Sequence, residues 1–251
     1  KEIGETHRLK QVWFNFPKKE ETDEYSVGEG NELTSLLLEI DGLSWNNNTS
    51  ELLGSTIEFG DIKLHVLAPD HDVAYENKPK EPDELGVRSD DWYIDLRTLI
   101  DNVDDDDIDE GGTNSQSIII LAECEGKKLL LPGDSTPKKL CDALQSYNKT
   151  NGTPLELDFM KLPHHGSTRN VTKNILNEVT CSNFIISTKK NNKYYFPNKE
   201  TIAKLIRYRD SADKAINVYF NYQESLDVLG ITAEELTENN INLNVCNEFN
   251  F

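Results

Sequence analysis

Several absences narrow the reading of this chain. It has no apolar run near the ~20 residues of a membrane-spanning helix. Its first ten residues are polar and charged, so no secretory leader is expected either. The four cysteines, Cys124, Cys141, Cys181 and Cys246, are scattered and form no C-x-x-C pair. That argues against a disulfide framework or a cysteine-rich zinc site, and for free thiols in a reducing, cytoplasmic compartment. Five Asn-x-Ser/Thr sequons (Asn47, Asn48, Asn148, Asn151 and Asn170) would matter only in a secreted protein. Positive charge is short: 26 Lys and Arg face 45 Asp and Glu, for a net charge of −19. Such a field repels phosphate backbones unless a metal or a basic patch supplies local positive potential. The one basic stretch (Lys189, Lys190, Lys193, Lys199, Lys204, Arg207 and Arg209) reads as a solvated helix face. No Gly-x-Ser-x-Gly elbow, phosphate-binding loop or internal repeat is present.

What is present alternates strand and helix, as in a layered α/β protein. Strands are expected at 11–16, 56–59, 62–67, 117–124, 128–131, 155–162, 184–187 and 216–222. Gly60-Asp61 and Glu125-Gly126 supply hairpin turns. Helices are expected at 31–41, near 92–100, after Pro137, after Thr168 and after Asn198, the last capped by Asn198. Residues 43–50, with Asn46-Asn47-Asn48, read as a loop. Residues 76–112 read as a long acidic insertion whose run Asp104–Asp107 is solvated, since it lacks the Gly and Glu of a calcium loop. Residues 212–251 form a strand-helix-strand extension, and residues 1–251 are taken as one domain. The Ile and Leu runs at 118–121 and 129–131 suit strands buried on both faces.

Three segments carry chemistry. Leu130-Leu131-Pro132-Gly133-Asp134 ends an apolar strand on a glycine and a carboxylate. Ligands of layered α/β folds collect at such strand ends, so Asp134 either binds a divalent cation or helps cap the next helix. Lys161-Leu162-Pro163-His164-His165-Gly166-Ser167 presents two of the five histidines on another strand end. A His pair beside Gly suits a metal ligand with a proton-transfer neighbour. One helix separates the two motifs. If their strands are adjacent and parallel, Asp134 and His165 share a sheet edge. Asn114-Ser115-Gln116-Ser117 leads into a third apolar strand and has the composition of a turn.

Together these segments resemble the metallo-β-lactamase superfamily, and within it the hydrolase domain of competence-channel (ComEC-type) proteins. The matching residues are Asn114, Ser117, Gly126, Gly133-Asp134 and Pro163 through Ser167. The resemblance is strong over 114–188 and weaker over 10–210. It implies an αββα sandwich and a divalent metal, zinc first and manganese second. Asp134 and His165 would be metal ligands and His164 a proton donor, the two histidines being able to exchange roles. Asn114, Ser117 and Ser167 would support the site or contact substrate. The reaction implied is phosphodiester cleavage by a metal-bound hydroxide, on nucleic acid or a nucleotide. The family's His-x-His-x-Asp-His cluster is missing, and His7, His65 and His71 are isolated. The expectation is a chain that begins after that cluster, its site completed by a further segment or a protein partner. Phe196, in Tyr194-Tyr195-Phe196-Pro197, stands where relatives carry a histidine, and Phe neither ligates metal nor moves protons. A degenerate binding or regulatory module is the alternative.

Overall fold

The computed structural model describes residues 11–13, 32–33, 35–37, 39–40, 43–46, 52–69, 91–111, 114–152, 154–192 and 194–248. His7, His71, the sequons at Asn47 and Asn48, and residues 76–90 and 112 of the expected acidic insertion lie outside them, as does part of the expected helix at 31–41.

The chain is an α/β protein with a large mixed sheet flanked by helices. The strands are β1 (Gln11–Trp13), β2 (Ser44–Asn46), β3 (Thr56–Phe59), β4 (Ile62–Ala68), β5 (Ile119–Cys124), β6 (Lys127–Leu131), β7 (Leu155–Glu156), β8 (Phe159–Lys161), β9 (Val179–Thr180), β10 (Asn183–Ile186), β11 (Ile216–Phe220) and β12 (Ile241–Val245). Eight of them form one sheet in the order β12-β11-β10-β8-β6-β5-β4-β3. Both expected hairpins, β3–β4 and β5–β6, are present and antiparallel. Glu125 and Gly126 both adopt positive φ, the conformation of a tight two-residue hairpin turn. From β6 through β8, β10 and β11 to β12 the strands run parallel.

The helices are α1 (Leu96–Asp101), α2 (Pro137–Asn151), α3 (Lys173–Asn177), α4 (Lys199–Tyr208), α5 (Gln223–Asp227) and α6 (Ala233–Glu238). Strand pairing puts Leu121, Leu130, Met160, Ile186 and Phe220 on one sheet face, and all are fully buried. They share a hydrophobic cluster with Leu140 and Leu144 of α2, Ile175 of α3 and Ile202 of α4. Truncating such a side chain to alanine costs about 2–5 kcal/mol. The opposite face carries Ile120, Leu129, Leu131, Phe159, Ile185 and Tyr219, all partly exposed. The Ile and Leu runs therefore have one fully buried face, where burial on both was expected.

Several boundaries also differ from the sequence reading. Residues 44–46, expected as loop, form β2 and pair in parallel with β1. The single strand expected over 155–162 is two, and β7 leaves the main sheet to pair with β9. The break falls at Asp158, whose carboxylate accepts from the Lys128 amide and the Lys127 ammonium. After Thr168 the chain makes a 3-10 turn (Thr168–Asn170) before α3, which ends at Asn177, and Val179 begins β9. In the C-terminal region an additional short helix, α5, follows β11.

The acidic run is not merely solvated. Asp105 pairs at 2.9 Å with the Lys204 ammonium, which is fully buried. Lys204 also donates to the carbonyls of Thr168 and Val171. Arg169 holds Asp107 at 2.9 Å. Asp91 accepts from the Glu200 amide at the start of α4. These contacts fasten residues 91–109 to the turn after the histidine pair and to α4.

Candidate functional site

The site lies at one edge of the large sheet because of its strand directions. β6 and β8 are neighbouring parallel strands, with Leu130 opposite Met160. The loops after them, carrying Asp134 and the His164-His165 pair, therefore emerge at one edge. β10 ends at the same edge and β5, being antiparallel to β6, begins there.

Gly133 adopts a positive φ, and a Cβ on it would sit 3.1 Å from Ser117 Cβ. Glycine thus lets the β6 end close onto the entrance of β5. The Ser117 hydroxyl accepts from the Asp134 amide at 3.2 Å, which gives this expected residue a backbone-holding role. Thr136, not Asp134, occupies the N-cap of α2 and makes no side-chain cap bond. Asp134 is left directed to the sheet edge, and the His164 amide donates to the Gly133 carbonyl to join the two loops.

His164 and His165 both adopt positive φ, followed by Gly166. Two non-glycine residues in this sparsely populated region mark a turn fixed by its surroundings. It sends the rings into different environments. His165 Nδ1 lies 2.8 Å from the Ser187 carbonyl at the end of β10. A carbonyl only accepts, so Nδ1 carries the hydrogen and the neutral ring keeps its lone pair on Nε2. His165 Nε2 is 4.0 Å from Asp134 Oδ2, and both side chains remain more than two-fifths exposed.

His164 faces inward. Its Nδ1 is 3.2 Å from Asn170 Oδ1 and 3.6 Å from Asp109 Oδ2. Asp109 Oδ2 also accepts from Asn114 and Asn170, each at 2.8 Å, and Oδ1 accepts from the Gly111 amide. Burial raises the Asp109 pKa, but the bonds from His164, Asn170, Asn114 and Gly111 outweigh it and hold the carboxyl well below the ordinary range. For His164, burial opposes the charged form; the Asp109 carboxylate, the Asp134 charge and Asn170 outweigh it, and the pKa is raised.

The structure thus brings Asp134, His165, His164, Asn114 and Ser117 to one edge, but assigns them to two groups. Asn114 touches Asp109 rather than Asp134. Ser167 is buried, its amide donating to the His164 carbonyl. Asp109 and Asn170 escaped the sequence reading. Asp109 was hidden in an acidic run, and Asn170 looked like a sequon. Asn170 is fully buried, as Asn148 nearly is.

Phe196 packs against both histidines, its ring centroid 5.3 Å from that of His164 and 6.2 Å from that of His165. Asn198 sits at the N-cap of α4 but leaves that helix uncapped by its side chain. Its Oδ1 instead accepts from the Thr168 amide, just after the histidine turn. Lys161 Nζ lies 3.3–3.4 Å from the carbonyls of Leu162 and Gly133, and its pKa is lowered by burial against the opposing pull of Asp134. His65 lies apart, bonded to Thr56 and 3.8 Å from Glu123.

Asp134 and His165 offer a carboxylate and an imidazole lone pair, donors that suit a divalent cation. Among the described residues, no group of three or more His, Cys, Asp or Glu side chains is placed to hold a metal. Nor, among them, is any helix long and apolar enough to cross a membrane.

No family model matches the chain. It is similar to Recombination protein 2 of Haemophilus influenzae, 28% identical over 120 residues. The match covers 46% of this chain and 14% of that protein, so the chain spans a small part of its relative's length.

Proposed function

We propose that this chain is the metal-site half of a metallo-β-lactamase-type hydrolase, cleaving phosphodiester bonds in nucleic acid or a nucleotide. One observation carries the reading: His165 is committed through Nδ1, which leaves Nε2 free 4.0 Å from the Asp134 carboxylate at the carboxyl ends of two adjacent parallel strands. In the proposal, Asp134 and His165 hold a divalent cation, zinc first and manganese second. The donor types fit, with no thiolate in the set, but two donors fall short of the three protein ligands common at catalytic zinc. The remaining donors are therefore assigned to a histidine cluster on a further segment or a partner. When bound, the cation supplies Lewis acidity and lowers the pKa of water toward neutrality. His164 holds a proton at Nε2 for the leaving group, and Phe196 packs against both histidine rings.

The half-exposed apolar face of the sheet supports an αββα sandwich, because Ile120, Leu129, Leu131 and Ile185 are the residues a second sheet would cover. On this reading the chain is one domain, with an acidic insertion at 76–112 and an extension at 212–251. The similarity to Recombination protein 2 supports a nucleic-acid or nucleotide substrate. The four free thiols support a reducing, cytoplasmic setting.

Phe196 favours a second reading, a binding or regulatory module. Its ring lies against both histidines, where a protonatable residue would serve catalysis. Hydrolysis of bis(p-nitrophenyl) phosphate separates the two. The hydrolase reading expects metal-dependent turnover once a segment carrying a His-x-His-x-Asp-His cluster is fused to the chain, and loss of turnover in Asp134→Ala. Zinc binding by that fusion without turnover favours the binding module.

A further inference from the structure

We propose that Asp109 is a positioning residue that fixes the tautomer of His164, acting through Asn170. The inference rests on the function proposed above only for what the His164 proton does.

Asn170 is fully buried, so water offers its amide no alternative partners. Its Nδ2 donates to two groups that only accept, the Asp109 carboxylate at 2.8 Å and the Ser135 carbonyl at 3.1 Å. Both amide hydrogens are thereby committed, and Oδ1 must face His164 Nδ1, 3.2 Å away. The second group near Nδ1 is Asp109 Oδ2 at 3.6 Å, again an acceptor. Nδ1 is thus surrounded by acceptors and carries the hydrogen. The lone pair of the neutral ring is confined to Nε2, the nitrogen left to exchange a proton with substrate.

Asp109 is itself fixed. Asn114 and the Gly111 amide also donate to its carboxylate, and its own amide donates to the Arg169 carbonyl. A Cβ at Gly111 would come within 2.9 Å of Asp109 Oδ1, so glycine allows that close approach. An asparagine at 109 cannot reproduce this arrangement. Its NH2 would point at a donor whichever way the amide turned, which leaves the Ser135 carbonyl alone to hold the Asn170 amide against a flip that would donate to Nδ1.

Nitrogen NMR of the imidazole rings in the full, metal-free chain, at alkaline pH where His164 is neutral, reads the tautomer without any activity. The expected result is the Nδ1–H form in the native protein, and a mixture of the two tautomers in Asp109→Asn with circular dichroism unchanged. Asp109→Glu, which keeps the carboxylate, retains the Nδ1–H form. Asn114→Ala also retains it, because the path through Asn170 is intact. The Nε2–H form in the native protein overturns the proposal, even if no variant folds. So does an unchanged tautomer in folded Asp109→Asn, or loss of the Nδ1–H form in Asn114→Ala. A chain without hydrolytic activity but with this tautomer pattern fails the functional reading alone.

Discussion

His164 and His165 are adjacent in sequence and opposite in surroundings. His165 and its neighbour Asp134 stay more than two-fifths exposed, and the ring is fixed by one backbone carbonyl. His164 and Asp109 are largely buried in a net that includes Asn114, Asn170 and Gly111. The first pair has open donor atoms and little to lose in stability if removed. Apart from His164 Nε2, the second has its polar atoms paired, and removing one leaves buried partners unmatched. On the proposed function, the first pair captures the ligand and the second holds the turn that delivers it.

Asp109→Ala tests that division most severely. It strands the amide hydrogens of Asn114, Asn170 and Gly111, and should destabilise the fold by roughly 2–4 kcal/mol in urea unfolding. A change near zero would remove the net from the account. Lys204→Met comes next: it deprives Asp105 and the carbonyls of Thr168 and Val171 of their cation. About 2–3 kcal/mol should be lost, less than for a fully buried pair because Asp105 is partly exposed.

Asp91 sharpens the comparison through pH. Burial pushes its carboxyl up to about 6 against the opposing amide bonds of Glu200 and Lys199, and one oxygen is buried without a partner among the described residues. Its folded pKa exceeds its unfolded one, so between about pH 4 and about pH 6 the folded state binds more protons. Stability is therefore greatest below that window and declines as pH rises through it, by roughly 1–3 kcal/mol. Asp91→Asn should flatten this part of the curve in thermal melts from pH 4 to 7. A wild-type curve already flat there would remove the buried-acid account. The smallest stability effect should be His165→Ala, within about 0.5 kcal/mol, as for an exposed side chain away from packing.

The exposed half of the site was legible in sequence and the buried half was not. Gly133-Asp134 and His164-His165-Gly166 each follow an apolar strand, and local pattern suffices to put them at strand ends. The adjacency of β6 and β8 was only a condition in the sequence, made plausible by the single intervening helix, and the strand pairing meets it. Asp109 meets Asn170 across 61 positions of sequence, and no local pattern separates it from its solvated-looking acidic neighbours. Asn198 had the right residue and position for a helix cap, yet tertiary contact redirected its side chain to Thr168. Residues 44–46 were lost for a similar reason: their strand exists through pairing with β1, which outweighs an asparagine-rich composition.

Zinc titration by calorimetry, on the chain fused to a His-x-His-x-Asp-His segment, tests the central claim most directly. Binding should fall by at least ~10-fold in Asp134→Ala and in His165→Ala, the scale on which even residues supporting a ligand alter metal affinity. Asn114→Ala should bind nearly as the parent does. Undiminished zinc binding in the Asp134→Ala/His165→Ala double variant would contradict that claim.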